Sequence, residues 1–162
     1  NVSEAGTPLT METVDLLEVA RECVERQKVN AKRSFISLTY LGESAPVLGS
    51  RSLLDELCQN LCDNAIRYNR PGGKVQIITA CTRDGHCSLT VKDNGIGIPK
   101  EAQSSVFERF YRVDKSRSKA TGGTGLGLAI VKHIARIHNA RIKLESEIGE
   151  GTTITVLFET AH

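Results

Sequence analysis

The stretch Gly123-Thr124-Gly125-Leu126-Gly127-Leu128-Ala129-Ile130-Val131 places three glycines on alternate positions, directly before an apolar segment with helical periodicity. Glycine allows a ligand to approach the backbone closely and accepts positive φ angles. A helix start presents unpaired N–H groups and the positive end of the helix dipole. Together these features predict an anion site, and phosphate is the anion that such sites commonly bind.

Two familiar phosphate-binding motifs do not fit this stretch. Gly122 and Gly127 have the glycine spacing of a P-loop, but Leu128 stands where that loop requires Lys. A dinucleotide-binding fingerprint counted from Gly123 would also need a glycine at position 128. The stretch is therefore either a phosphate loop of another kind or a glycine hinge before a core helix.

The 162-residue chain has the size and composition of one globular domain. Charged residues make up 25% of it, hydrophobic residues 40%, and the net charge is +2. This balance argues against nucleic acid as a partner. No apolar run reaches the roughly 20 residues that span a bilayer. Because residues 1–9 are rich in Gly, Pro and polar side chains, we predict a linker there and a single domain over residues 10–162.

The five cysteines show no metal-ligand spacing. Cys81 and Cys87 flank a predicted hairpin turn at Asp84-Gly85. A two-residue turn at that point would set Cys87 opposite Thr82 and not opposite Cys81. We therefore expect the thiols to be reduced, as they are in the cytosol.

Periodicity and turn residues predict three helices and five strands. The helices run from Thr10 as the cap to Asn30, from Ser50 or Ser52 to Tyr68, and from Thr124 to His138. The strands cover residues 34–40, 74–82, 87–92, 141–147 and 152–159. A long irregular connection over residues 93–123 contains a short helix at 101–107. Because the elements do not follow strict βαβ order, we predict an α+β fold, a two-layer α/β sandwich with a mixed, mostly antiparallel sheet and three helices on one face.

Two amides occupy unusual positions on the second predicted helix. Asn64 falls on its apolar arc, and Asn60 lies one turn earlier at the edge of that arc. A helix interior gains nothing from Asn, and a half-buried amide without a partner costs about 1–3 kcal/mol. Either the pair binds a shared polar ligand such as Mg²⁺ on phosphates, which amide oxygens suit, or the amides bond a neighbouring loop.

A third motif, Asp93-Asn94-Gly95-Ile96-Gly97-Ile98, follows a predicted strand and opens the long connection. Asp93 offers a carboxylate acceptor for an exocyclic amino group such as that of adenine. Its glycines would let a flat ring approach the backbone, or they serve only the geometry of an Asx-type turn. The later part of the connection is rich in cations, which suits either a lid over a polyphosphate or a solvated loop.

In this order the motifs resemble the catalytic ATP-binding domain of sensor histidine kinases, a branch of the GHKL superfamily. The N, G1, F and G2 boxes of that family resemble residues 60–68, 93–98, 107–114 and 123–128. The resemblance extends over about residues 10–158, nearly the whole chain. It implies a GHKL-type ATPase fold with ATP and Mg²⁺ as ligands.

The resemblance also implies a role for individual residues. Asn64 would be the principal Mg²⁺ ligand, with Asn60 next to the metal and the phosphates. Asp93 would accept a hydrogen bond from the adenine amino group. Arg112 resembles the lid arginine that reaches toward the γ-phosphate, so Asn60 and Arg112 are the implied catalytic positions. The other implied nucleotide-binding residues are Arg67, Tyr68, Gly95, Gly97, Ile98, Gly123, Thr124, Gly125, Leu126 and Gly127.

Members of this family transfer the γ-phosphate to a histidine on a separate dimerisation domain, and a response regulator acts downstream. We therefore expect residues 1–9 to be the linker from that domain. We expect the chain itself to be a monomeric cytoplasmic domain with little activity in isolation. In many relatives, the full-length protein that contains this domain is anchored in a membrane. None of the four histidines has the sequence context of a phosphoacceptor. We expect His133 and His138 to be ordinary helix-surface residues.

Other functions within the superfamily stay open. An ATP-driven conformational clamp would use a Glu one turn before the metal-binding Asn, where this chain has Asn60. A GHKL serine kinase is the second alternative. A pseudokinase that only binds a partner is the third.

Overall fold

A mixed sheet of five strands packs against three helices in the computed structural model, which describes residues 10–103, 105–107 and 127–159. The strands are β1 (Glu12–Asp15), β2 (Ser37–Gly42), β3 (Pro46–Gly49), β4 (Lys74–Cys81), β5 (His86–Asp93), β6 (Arg141–Glu147) and β7 (Gly151–Glu159). The helices are α1 (Leu16–Arg33), α2 (Arg51–Arg67) and α3 (Gly127–Ile137), with a 3₁₀ turn at Lys100–Ala102. None of the helices in these described ranges is long and apolar enough to cross a membrane.

The sheet has the strand order β2-β4-β5-β7-β6. β2 runs parallel to β4, and the other neighbouring strands are antiparallel. Buried side chains alternate along the central strands, so one face of the sheet is covered by the helices. On that face lie Val75, Ile77, Leu89, Val91, Ile154, Val156 and Phe158. The predicted α+β class, with three helices on one face of a mixed sheet, is confirmed.

The first helix begins at Leu16 and not directly after Thr10. The side chain of Asp15 caps it, with Oδ1 accepting a hydrogen bond from the Leu17 N–H at 3.0 Å. Residues Glu12–Asp15 instead form β1, which pairs antiparallel with β3 in a separate two-stranded sheet. The prediction contained neither of these short strands. They depend on a pairing between distant segments, for which the local sequence carries no signal.

The boundaries of the second helix are confirmed, since Ser50 is its N-cap and Arg67 its last residue. The strand predicted over residues 34–40 begins only at Ser37, because the preceding N–H groups bond back to the last carbonyls of α1. Of the short helix predicted over residues 101–107, the described residues form the 3₁₀ turn Lys100–Ala102, and residue 104 lies outside the described residues. The third helix is described from Gly127 to Ile137, and its predicted first residues 124–126 lie outside the described residues.

Cys81 and Cys87 form a disulfide, with their Cα atoms 4.0 Å apart, so the expectation of reduced thiols is wrong for this pair. The Thr82 N–H donates to the His86 carbonyl oxygen at 2.7 Å, so the hairpin loop is longer than two residues. The ladder register therefore places Cys81 directly opposite Cys87. The other cysteines are buried free thiols, Cys23, Cys58 and Cys62.

His133 is exposed, as expected, but His138 is buried, so the expectation of a surface residue is wrong for His138. Its Nδ1 lies 2.8 Å from the Ile134 carbonyl oxygen, and its Nε2 accepts a hydrogen bond from the Ser50 N–H at 3.1 Å. Burial lowers the pKa of this imidazole. His138 therefore joins the end of α3 to the N-cap of α2. Asn139, just after it, adopts a left-handed conformation with φ of 55°, which Asn tolerates better than most residues at the end of a helix.

Candidate functional site

A cavity of about 80 Å³ opens between α2, the ends of β5 and β7, and the start of α3. This volume is several times the roughly 10–15 Å³ that one water molecule needs. Most of its wall is apolar, formed by Leu61, Ala65, Val91, Val106, Leu128 and Ile154 among others. Its polar side chains belong to Asn64, Tyr68, Asp93 and Thr152. An apolar cleft with a few polar groups is typical of a small-molecule site.

Asp93, the last residue of β5, is half-buried at the wall of this cavity. Its Oδ1 accepts hydrogen bonds from the Gly95 N–H at 2.8 Å and from the Thr152 N–H at 3.2 Å. Burial raises the pKa of this carboxyl group to about 6, although the two N–H bonds act in the opposite direction. Both bonds end on Oδ1, so Oδ2 is the oxygen that can meet a ligand in the cavity.

Two glycines in the loop after Asp93 have no room for a side chain. At Gly97, φ is +79°, and an added Cβ atom would overlap the Glu147 carbonyl oxygen. At Gly95, an added Cβ atom would lie 2.6 Å from the Tyr68 carbonyl oxygen. The loop therefore packs closely against the end of β6 on one side and against the end of α2 on the other.

Hydrogen bonds hold this loop in place. The Ile96 N–H donates to the Tyr68 carbonyl oxygen at 3.2 Å, and the Ile98 N–H donates to Ser146 Oγ at 2.8 Å. Gln103 Nε2 donates to the carbonyl oxygens of Ile98 and Ser146, at 2.9 and 3.2 Å. The sequence did not predict Ser146, Gln103 or Thr152 as part of the site, because a polar residue in a strand or just after a 3₁₀ turn carries no local signal of such a contact.

The predicted residues of α2 and its C-cap, Tyr68, divide into two groups. Asn64 and Tyr68 line the cavity, while Asn60 and Arg67 are not among its lining residues. Asn64 Nδ2 donates to the Asn60 carbonyl oxygen at 3.0 Å, so its Oδ1 is left to accept or to coordinate. Asn60 Nδ2 donates to a carbonyl one turn back at 2.8 Å, and Arg67 pairs with Asp63 at 2.9 Å.

The structure describes only some of the remaining predicted site residues. Gly97 and Ile98 line the cavity, and Gly95 binds Asp93 from the adjoining loop. Gly127 is the first residue of α3. Arg112 and residues 123–126 lie outside the described residues. Within the described ranges, no group of three or more His, Cys, Asp or Glu side chains is arranged to hold a metal ion.

Comparison with known proteins identifies the family. Residues 49–162 match the family of histidine kinase-, DNA gyrase B- and HSP90-like ATPases. The sensor-like histidine kinase SenX3 of Mycolicibacterium smegmatis is 49% identical over 150 residues, which cover 90% of this chain and 38% of that protein. SenX3 of Mycobacterium tuberculosis is 44% identical over 157 residues, 94% of this chain and 38% of that protein.

A solved structure agrees with these sequence matches. The mycobacterial sensor histidine kinase MprB superposes with a TM-score of 0.79 at 32% identity, over 93% of this chain and 97% of that one. The chain therefore belongs to the histidine kinase-, DNA gyrase B- and HSP90-like ATPase family, and to the sensor histidine kinases within it. The predicted resemblance is confirmed. The chain spans about 38% of the length of the SenX3 relatives.

We predict that Gly97→Ala destabilises the protein more than Gly149→Ala does. Both glycines have nearly the same positive φ, +79° and +83°, so both variants carry similar backbone strain. Only at Gly97 would the new methyl group meet the Glu147 carbonyl; at Gly149 nothing lies within 4 Å. The free energy of unfolding of Gly97→Ala, measured by urea titration, should be lower than that of Gly149→Ala by about 1–3 kcal/mol. Equal losses would mean that the loop does not lie against β6.

Proposed function

We propose that this chain binds Mg²⁺–ATP in the cavity beside Asp93 and transfers the γ-phosphate to a histidine on the dimerisation domain of the same kinase. A response regulator would act downstream. Membership of the sensor histidine kinases supports the proposal. The single observation that carries it is the Asp93 carboxylate, fixed by two backbone N–H groups at the wall of an apolar cavity.

Asp93 supplies a way to select adenine. An ionised carboxylate accepts hydrogen bonds and donates none. Adenine carries an amino donor at its six position, where guanine carries a carbonyl oxygen. The free Oδ2 of Asp93 would therefore attract adenine and repel guanine. The apolar side chains of Leu61, Val91 and Ile154 would cover the faces of the ring.

The phosphates would lie toward the start of α3, where N–H groups without helical partners and the helix dipole favour an anion. Residues 123–127 would contribute to that site, as the resemblance implies. Asn64 would hold Mg²⁺ through its Oδ1, because Nδ2 is already bonded to the backbone, and Asn60 would lie next to the metal. When bound, the metal ion neutralises charge on the phosphate oxygens during transfer.

Phosphoryl transfer requires little covalent chemistry from the protein. The chain would therefore act mainly by holding ATP and excluding water. Arg112 would stabilise charge on the γ-phosphate. Asn60 carries an amide where a hydrolytic clamp would carry a carboxylate base, which favours transfer to an external imidazole. We place this domain in the cytoplasm as a monomer, linked through residues 1–9 to the dimerisation domain of a longer protein.

Phosphotransfer is the direct test of this function. The chain should be incubated with the cognate dimerisation domain, Mg²⁺ and ATP labelled on its γ-phosphate. We expect acid-labile phosphohistidine on the dimerisation domain. Asn64→Ala should abolish the transfer, whereas Asn30→Ala, a matched amide on α1, should not. Acid-stable phosphoserine would support the serine kinase, and hydrolysis without transfer would support the clamp.

Adenine binding should depend on the protonation of Asp93. The pKa of this carboxyl group is about 6 in the folded protein, so the acceptor form is lost as the pH falls through 6. Affinity for adenosine should be about tenfold weaker at pH 5 than above pH 7, because one pH unit below the pKa leaves about a tenth of the carboxyl groups ionised. Adenosine is the right probe, since phosphate groups themselves titrate near pH 6.

The control for this pH profile is Asp93→Asn, which keeps the size of the side chain and removes its titration. Its adenosine affinity, followed by NMR titration, should be weak and unchanged between pH 5 and pH 8. A variant with the same pH step as the wild type would show that another group is responsible.

A further inference from the structure

We propose that Arg70 is a positioning residue for adenine recognition, and this inference rests on the proposed function. Arg70 follows the end of α2, and its Nη2 donates to three backbone carbonyl oxygens. Two of them belong to Asn94 and Gly95 in the loop after β5, at 3.3 and 3.2 Å. The third belongs to Gly149 in the turn between β6 and β7, at 3.0 Å.

The Arg70 guanidinium thus joins the segment after α2 to the loop after β5 and to the turn between β6 and β7. Of these, the loop lines the cavity through Ile96, Gly97 and Ile98. Its own backbone is fixed, because the Arg70 N–H donates to Asn69 Oδ1 at 2.8 Å and its carbonyl accepts from the Gly73 N–H at 2.9 Å. The turn and the loop are also joined directly, since the Gly149 N–H donates to the Ile96 carbonyl oxygen at 2.9 Å. Because its own backbone is fixed, Arg70 can hold the backbone of the loop after β5 and of the turn between β6 and β7 in place.

The link from Arg70 to Asp93 passes through a single peptide group. The carbonyl of Asn94 and the N–H of Gly95 belong to one planar peptide unit. Arg70 holds the oxygen of that unit, and Asp93 Oδ1 accepts from its N–H at 2.8 Å. Fixing the carbonyl end fixes the direction of the N–H, and so fixes which carboxylate oxygen is left for the ligand.

A cation near a nucleotide site has a second obvious role, the binding of phosphate. The geometry argues against that role for Arg70. Its side chain is not among those lining the cavity, and its Nη2 is directed to carbonyl groups beside Asp93. A positioning residue at the adenine end should affect every adenine ligand equally, whatever the number of phosphates it carries.

Binding of adenosine, ADP and Mg²⁺–ATP to the wild type and to Arg70→Ala, measured at pH 7.5, separates the two roles. We expect about the same loss for all three ligands, roughly tenfold, as for the removal of one or two hydrogen bonds to a charged donor. Arg70→Lys keeps a charged donor at this position and should recover most of the affinity. Arg83→Ala, at the exposed hairpin tip, is the matched control and should bind like the wild type.

A second measurement needs no ligand. The amide proton of Gly95 should move upfield in Arg70→Ala, because its bond to Asp93 weakens, and should return in Arg70→Lys. A loss of affinity that grows with the number of phosphates would overturn the inference in favour of a phosphate contact. Wild-type affinity together with an unmoved Gly95 signal in Arg70→Ala would also overturn the inference. If the wild type itself binds neither adenosine nor ADP, the proposed function fails, and the inference fails with it.

Discussion

One half-buried carboxylate organises the edge of the sheet at which the cavity opens. Asp93 ends β5, and its Oδ1 is held by N–H groups from the following loop and from β7. Burial penalises the charged form of this group, so a structure that keeps it must provide compensating hydrogen bonds. Close packing of the backbone around this carboxylate leaves no room for side chains at three glycines. An added Cβ atom would overlap the Asp93 carbonyl oxygen at Gly151 and the Glu147 carbonyl oxygen at Gly97, and at Gly95 it would lie 2.6 Å from the Tyr68 carbonyl oxygen.

Most of the fold could be predicted because its signals are local. Helix α2 has an apolar stripe and a Ser50 cap, and the β4–β5 hairpin has alternating residues around a glycine turn. The predictions fail where contacts between segments distant in sequence determine the structure. The β1–β3 pair forms only once Thr13 lies opposite Leu48, and Asp15 then becomes the helix cap. The disulfide depends on a hairpin register that a turn dipeptide does not determine.

The site could be predicted in part, and for a similar reason. Asn64, Tyr68, Asp93, Gly97 and Ile98 belong to compact motifs, and the structure brings all of them to one cavity. The residues that hold these motifs together could not be predicted. Ser146 reaches Ile98 across 48 positions of the sequence, and Arg70 reaches Gly149 across 79. Such contacts use ordinary polar side chains on backbone groups, so only the folded chain reveals them.

We propose that the Asp93 carboxylate, held by the Gly95 and Thr152 N–H groups, forms the adenine end of the site. The most direct test is a ¹H–¹⁵N correlation spectrum of the labelled chain, recorded during a titration with adenosine. The amide signals of Gly95 and Thr152 should show some of the largest shifts, while those of the hairpin tip at residues 83–85 should stay in place. Large shifts elsewhere with unmoved Gly95 and Thr152 signals would contradict the claim.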